Sequence, residues 1–237
     1  MATQRLNLIA PSGNRVDVDL LAEPHVSSIA SMVRFVGGSY GTGFQIGPRG
    51  YHDFACTHVA PAVQRERLLV HGREVVVAEA KDKQSSVATL IGTYHELMTV
   101  FAGPAPKSER VVALFSALQI EDHVDGMVVK PRSATLLDAA VETVVVVVKD
   151  RGTLSIPGPR QAAALAPKFA GARTKHGEVW KATQGEAGAP AETATQGYIL
   201  GCAAGLAEVH LARAEVASEK TVLGWLDEVN VAWRPAS

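Results

Sequence analysis

Residues 51–61 read YHDFACTHVAP, which sets two histidines and one of the chain's two cysteines close together. Thiolate sulfur and imidazole nitrogen serve as nucleophiles, bases and metal ligands, so these residue types could do chemistry. Read as a strand, the stretch puts His52, Phe54, Cys56 and His58 on one face and Tyr51, Asp53, Ala55 and Thr57 on the other. Positions two apart on one face lie about 6 to 7 Å from each other. A metal ion fits between Cys56 and His58 across that span, at bond lengths of about 2.0 to 2.3 Å. A direct hydrogen bond from thiol to imidazole, which an activated cysteine needs, is harder to make between them. His52, Cys56 and His58 are thus candidate metal ligands, and Cys56 with His58, His52 and Asp53 is the candidate catalytic set. The stretch lacks the C-x-x-C or H-x-x-x-H spacing of a zinc site, and a fourth ligand would have to come from elsewhere. A buried cysteine and locally bonded histidines account for the same residues without chemistry, and no metal or cofactor is expected.

Three neighbouring signals are weaker still. The stretch GGSYGTGFQIGPRG, residues 37–50, is rich in glycine, but it follows an expected helix, leads into a strand and has no lysine. Phosphate-cradling loops do the reverse: they open a helix and carry Gly-Lys-Ser/Thr. A pocket border or a partner-ordered loop is the better reading, with Arg49 as its one charge, free to meet an anionic group. His25-Val26-Ser27 resembles half of the paired H-x-S/T signature of two-histidine phosphoesterases, and no second copy follows. EDHVDG, residues 121–126, gathers three carboxylates and a histidine, yet it lacks EF-hand spacing and reads as a polar connection ending in glycine.

The elements that must position these residues can be read from periodicity and turn chemistry. Leu6–Ala10 and Arg15–Leu20 flank Pro11-Ser12-Gly13-Asn14, and Val16, Val18 and Leu20 alternate with Asp17 and Asp19, as in a hairpin with one wet face. His71-Gly72 joins two β-branched runs as a second hairpin, and Asp150, Arg151 and Gly152 a third. The run Val144–Val148 is expected as a central strand buried on both faces. Val26, Ile29, Ala30, Val33 and Val36 follow helical spacing after Pro24, and Ser86–Phe101 reads as a second helix stopped by Gly103-Pro104. Ser108 can cap a third with Val111, Val112, Leu114, Phe115 and Leu118 on one side. Gln161–Leu165 forms a short helix after Pro159, and Ser218–Trp233 closes the chain as the last. These elements predict an α+β fold: a mostly antiparallel sheet built from hairpins, with inserted helices and a C-terminal helix, in a single domain over residues 1–237. Residues 183–197, TQGEAGAPAETATQG, are the one low-complexity stretch, expected as an exposed loop.

On that last helix Trp225, Val229 and Trp233 recur every four residues. They are either core anchors or, with Arg49, a surface that docks a partner. With 47% hydrophobic residues, 20% charged residues and a formal net charge of −1, the chain has no basic field for nucleic acid or anionic lipid. No apolar run approaches the roughly 20 residues of a membrane helix, and no signal-peptide pattern opens the chain. Two distant cysteines suit a reducing cytoplasm. The expected function is a cytoplasmic, non-enzymatic interaction or assembly protein that binds a protein partner or itself, as a subunit of a larger bacterial or phage complex. The alternative is a small hydrolase or metal-dependent enzyme centred on Cys56, His52 and His58, and a third reading is a small-ligand domain with its pocket at the glycine loop.

Overall fold

The computed structural model describes residues 2–23, 25–35, 43–133, 140–184, 195–212 and 219–236. The chain divides into two compact units, Met1–Leu8 with Asn14–Ile29 and Thr143–Ser237, and Ile9–Gly13 with Ala30–Glu142. Of the described residues 59% are strand and 16% helix. The balanced α+β expectation is therefore corrected to a largely β protein of antiparallel strands. Most of the difference comes from two expected helices that are strands.

The chain opens with the hairpin β1 (Thr3–Ile9) and β2 (Arg15–Leu21). Its turn is closed by the Gly13 N–H donating to the Ala10 carbonyl at 2.8 Å. Val16, Val18 and Leu20 are fully buried while Asp17 and Asp19 are not, the alternation of a half-buried strand.

The second unit follows with β3 (Val26–Phe35, whose first residues belong to the first unit), β4 (Gly43–Pro48), and α1 (Tyr51–Phe54), which runs on as a π-type turn over Ala55–Val59. Then come β5 (Ala62–Val70), β6 (Arg73–Ala80), β7 (Ser85–Ile91), β8 (His95–Ala102), α2 (Ser108–Ser116), β9 (Leu118–His123) and β10 (Gly126–Pro131). Six strands lie in the order β3-β4-β8-β7-β6-β5, and β9 pairs with β10 separately. On one face of the six, Val33, Phe44, Ile46, Val77, Leu90 and Leu97 pack with Val111 and Phe115 of α2 and with Met127 and Val129 of β10. The other face is covered in part by α1 and its π turn, through a smaller cluster of Ala55, Ala78, Val87 and Met98.

The helix expected at Val26–Val36 is β3: Val33 and Phe35 are buried and Met32 and Arg34 exposed, a period of two that the i, i+3, i+4 coincidence concealed. The helix expected at Ser86–Phe101 is the β7–β8 hairpin. These central strands are buried on both faces through most of their length, so they carry no alternation for a reader of the sequence to find. The β5–β6 hairpin does turn at His71-Gly72, with φ of +50° and +76°. Two residues at positive φ make the tight turn whose twist suits a hairpin. α2 also forms where its apolar spacing predicts, but the Ser108 hydroxyl donates to the Glu66 carboxylate instead of capping the helix.

The first unit resumes with β11 (Ala140–Val148, begun in the second unit), β12 (Gly152–Pro157), α3 (Pro159–Leu165), β13 (Ala172–Thr174), β14 (Gly177–Gln184), β15 (Thr195–Cys202), β16 (Gly205–Leu211), α4 (Glu219–Leu226) and β17 (Asn230–Arg234). Strands run β13-β14-β15-β16-β12-β11, and β17 joins the opening hairpin in a three-stranded sheet ordered β1-β2-β17. Val144, Val146 and Val148 are buried, but Val145 and Val147 are half-buried, so the valine run fills one face and not two. The expected C-terminal helix stops at Leu226. The chain then turns and returns as β17, with Val231 opposite Val18 and Trp233 opposite Val16. Of the stretch 183–197, residues 185–194 lie outside the described residues, and its two ends belong to β14 and β15. No helix among the described residues is long and apolar enough to cross a membrane.

Candidate functional site

The helical form of residues 51–59 starts from a buried carboxylate on β8. Glu96, 4% exposed, accepts the Gly50 N–H at 3.0 Å on one oxygen and the His52 N–H at 2.7 Å on the other. An anion that satisfies two donors at a helix start is the arrangement the backbone dipoles favour. Gly50 enters at φ +87°, a backbone that a side chain would strain. Tyr51 then lies flat on Gly47, where an added Cβ would come within 2.3 Å of the ring. Its hydroxyl donates to Gln45 Oε1 at 2.8 Å.

The strand reading of this stretch is corrected by that geometry, and the grouping of its side chains changes with it. A helix brings i and i+4 together, so Cys56 meets His52, with Sγ 3.7 Å from Nε2 and 4.0 Å from Nδ1. Asp53 and His58 are exposed, and the His58 ring rests on Phe54 with centroids 5.2 Å apart. Two of the four candidates converge and two do not. His52 Nδ1 lies 2.8 Å from the Thr89 hydroxyl, and its ring is buried.

What the pair can do follows from where its protons sit. Nearly equal distances from the sulfur to both ring nitrogens place the thiol beside the ring and not along one nitrogen's lone pair, so the geometry for proton transfer is poor. Burial pushes the His52 pKa below its ordinary value. Burial, and after it the charge of Asp53, pushes the Cys56 thiol above its own. A reactive thiolate–imidazolium pair requires the opposite shifts. Among the described residues no group of three or more His, Cys, Asp or Glu side chains is placed to hold a metal ion.

The other singled-out residues take structural partners. Arg49 donates to the Gly92 carbonyl at 2.8 Å. Asp122, from the EDHVDG stretch, accepts the Tyr94 N–H at 2.8 Å and faces His95 Nδ1 at 2.9 Å. Burial would raise the Asp122 carboxyl, but the Tyr94 and His95 hydrogen bonds outweigh it and hold the pKa below its usual value. Sequence reading missed this His95–Asp122 pair because it joins the start of β8 to β9, 27 positions along the chain. Trp225 and Val229 are buried, at 3% and 0% exposure, and Trp233 is half-buried, so the three do not form an exposed stripe. No known protein family, curated protein or solved structure matches this chain.

Proposed function

We propose that the protein is a non-enzymatic, cytoplasmic assembly subunit that associates with a second copy of itself through the α1-bearing face of its second unit. The observation that carries the reading is that this face is only part covered. α1 and its π turn lie over β6, β7 and β8, while Met32 on β3 is 44% exposed, Val100 on β8 50% and Phe54 on α1 55%. In the ladder Gly43 stands opposite Arg34, and among the described residues nothing approaches within 4 Å of where its Cβ would be. Exposed apolar side chains on one part-covered face suit an interface. A second copy is the occupant because a net charge of −1 sets up almost no repulsion between copies and offers no strong field to an oppositely charged partner. The outer edge of the sheet is the poorer route. β5 carries Arg65, Glu66 and Arg67 and a register shift between Gln64 and Glu66, features that block the addition of another strand.

Light scattering after size exclusion tests the proposal. The expected result is a concentration-dependent dimer or larger assembly, weakened at least about tenfold by Val100→Glu with Met32→Glu. A strict monomer at every concentration, or an assembly indifferent to both substitutions, overturns it. The alternative, a hydrolase centred on Cys56, draws on the contact with His52. The neutral state that burial imposes on both groups weighs against it. Alkylation of Cys56 at neutral pH faster than that of a free thiol would favour the alternative.

A further inference from the structure

A cavity of about 510 Å³ lies beside α3 in the first unit, with Trp180, Cys202, Leu206 and Trp233 among its walls. Trp233 Nε1 is buried without a partner, but it is enclosed by protein, so a molecule in that space could not reach it. A smaller cavity, of about 130 Å³, lies in the second unit on the α2 side of the sheet. Its floor is core: Leu90, Phe115 and Leu118 are each 1 or 2% exposed. An apolar cavity of roughly 150 Å³ takes up benzene, so this one admits an apolar group of about four carbons. Three ionisable side chains complete the lining: Arg73 at the start of β6, Arg132 just past β10, and His71 in the hairpin turn. No carboxylate lines the cavity.

The two arginines have charge to spare. Along β6, Arg73 falls on the same face as Val75 and Val77 of the α2-side core, and Glu74 falls on the other, where it accepts from Arg67 at 2.6 Å. The half-buried Arg73 side chain has no hydrogen bond or ion pair among the described residues, and its Nη1 is wholly enclosed. A ligand therefore does not meet Nη1. It meets the charge, which is spread over the whole guanidinium and is screened less where water is partly excluded than at an open surface. An unpaired charge drawn out of water is costly, and a bound anion offsets that cost. Arg132 is exposed and fixed at the end of α2: its backbone N–H donates to the Ala117 carbonyl and its Nε to the Ser116 carbonyl, both at 2.9 Å. Both terminal nitrogens of its guanidinium are left without a protein partner among the described residues.

We infer that this cavity is a binding site for a small monocarboxylate with a short apolar tail. The carboxylate lies at the rim that Arg73 and Arg132 share, and the tail rests on Leu90, Phe115 and Leu118. Guanidinium groups suit a carboxylate because their planar N–H donors match its two oxygens. The site is on the sheet face opposite α1, so self-association and carboxylate binding can fail separately.

The test uses the full chain with carbon-13 in its methyl groups, titrated with 3-methylbutanoate at pH 7 and constant ionic strength. Ile120 lines the cavity, and Ile120→Val assigns its resonance by loss. The expected result is a saturable shift of that resonance with a Kd of about 1 mM or tighter. 3-Methylbutanamide, which keeps the shape and lacks the charge, should bind at least about tenfold more weakly. Acetate and inorganic phosphate, which lack the tail, should be weaker by at least about the same factor. Arg73→Gln should weaken binding about tenfold, and Arg132→Gln about 3- to 10-fold. The second substitution is on an exposed side chain and serves if the first variant fails to fold. Absence of a saturable Ile120 shift, equal affinity for acid and amide, phosphate binding as tight as 3-methylbutanoate, or binding undiminished in folded Arg132→Gln would overturn the inference.

Discussion

The Cys56–His52 pair of the second unit and the cavity beside α3 in the first make an instructive comparison. Both hold a half-buried thiol whose pKa burial raises, Cys56 in one and Cys202 in the other. Both use a glycine to admit an aromatic ring, Gly47 beneath Tyr51 and Gly201 beside Trp180. They differ in where their polar groups find partners. Around His52 the donors and acceptors are matched: Glu96 takes two backbone N–H groups and Thr89 meets the ring. Around Trp233 a buried donor is left over. Reactive residue types with their valences filled behave as structure. Inert residue types here leave one polar group unmatched.

The largest test of that contrast is Glu96→Ala. Removing the carboxylate strands the N–H groups of Gly50 and His52 in a buried setting, and the expected loss is about 2 to 4 kcal/mol of unfolding free energy. Urea denaturation measures it. Alkylation of Cys56 should also quicken as α1 loosens from the sheet. A loss below about 1 kcal/mol would mean that Glu96 does not hold the helix.

Gly47→Ala comes next. Its methyl would drive into the Tyr51 ring, and overpacking of this kind costs about 1 to 3 kcal/mol. Comparison of melting temperatures, with Tyr51→Leu as a partner that relieves the crowding, separates this clash from a general loss of glycine.

A smaller effect is set by pH. The His52 pKa is depressed in the folded chain, so the unfolded chain binds a proton first as pH falls below about 6.5. Stability attributable to this residue is therefore full above that value and declines as pH drops toward the folded pKa. The slope is at most about 1.4 kcal/mol per pH unit for one proton. Urea midpoints at pH 7 and pH 5 should fall further for the native chain than for His52→Gln. Equal falls would show that the ring is not held neutral.

The smallest expected change is the most discriminating. Trp233→Phe removes an N–H that has no partner, so it should be neutral within about 0.5 kcal/mol, or slightly stabilising. Chemical denaturation decides it. A loss of about 2 kcal/mol or more would reveal an unseen acceptor and close the contrast between the two regions.

The elements legible in the sequence were those whose signal is local. Pro11–Asn14, His71-Gly72 and Asp150–Gly152 mark turns by residue type, and α2 and α3 show their start signals or spacing within one window. β7 and β8 were illegible because strands covered on both faces have no polar side to alternate with. β3 was misread because Val26, Ile29, Ala30 and Val33 happen to satisfy a helical template. In the site, the reactive residues were found by type, but their grouping followed the wrong periodicity. A period of two gathers Cys56 with His58, and a turn of helix gathers it with His52.

Composition and the near-neutral charge were determined by the sequence alone because they are sums over its residues, and the turn positions and the polar residues near position 56 because each depends on a few adjacent residues. Whether YHDFACTHV would be strand or helix was not, since both periods fit so short a run. That was decided by Glu96, 44 positions further on, which meets two backbone donors, and by the apolar floor of Ala78, Val87 and Met98 that the turn covers. The orphan N–H of Trp233 is tertiary in the same sense. Only when β17 folds back beside β2 does the indole become buried without a partner.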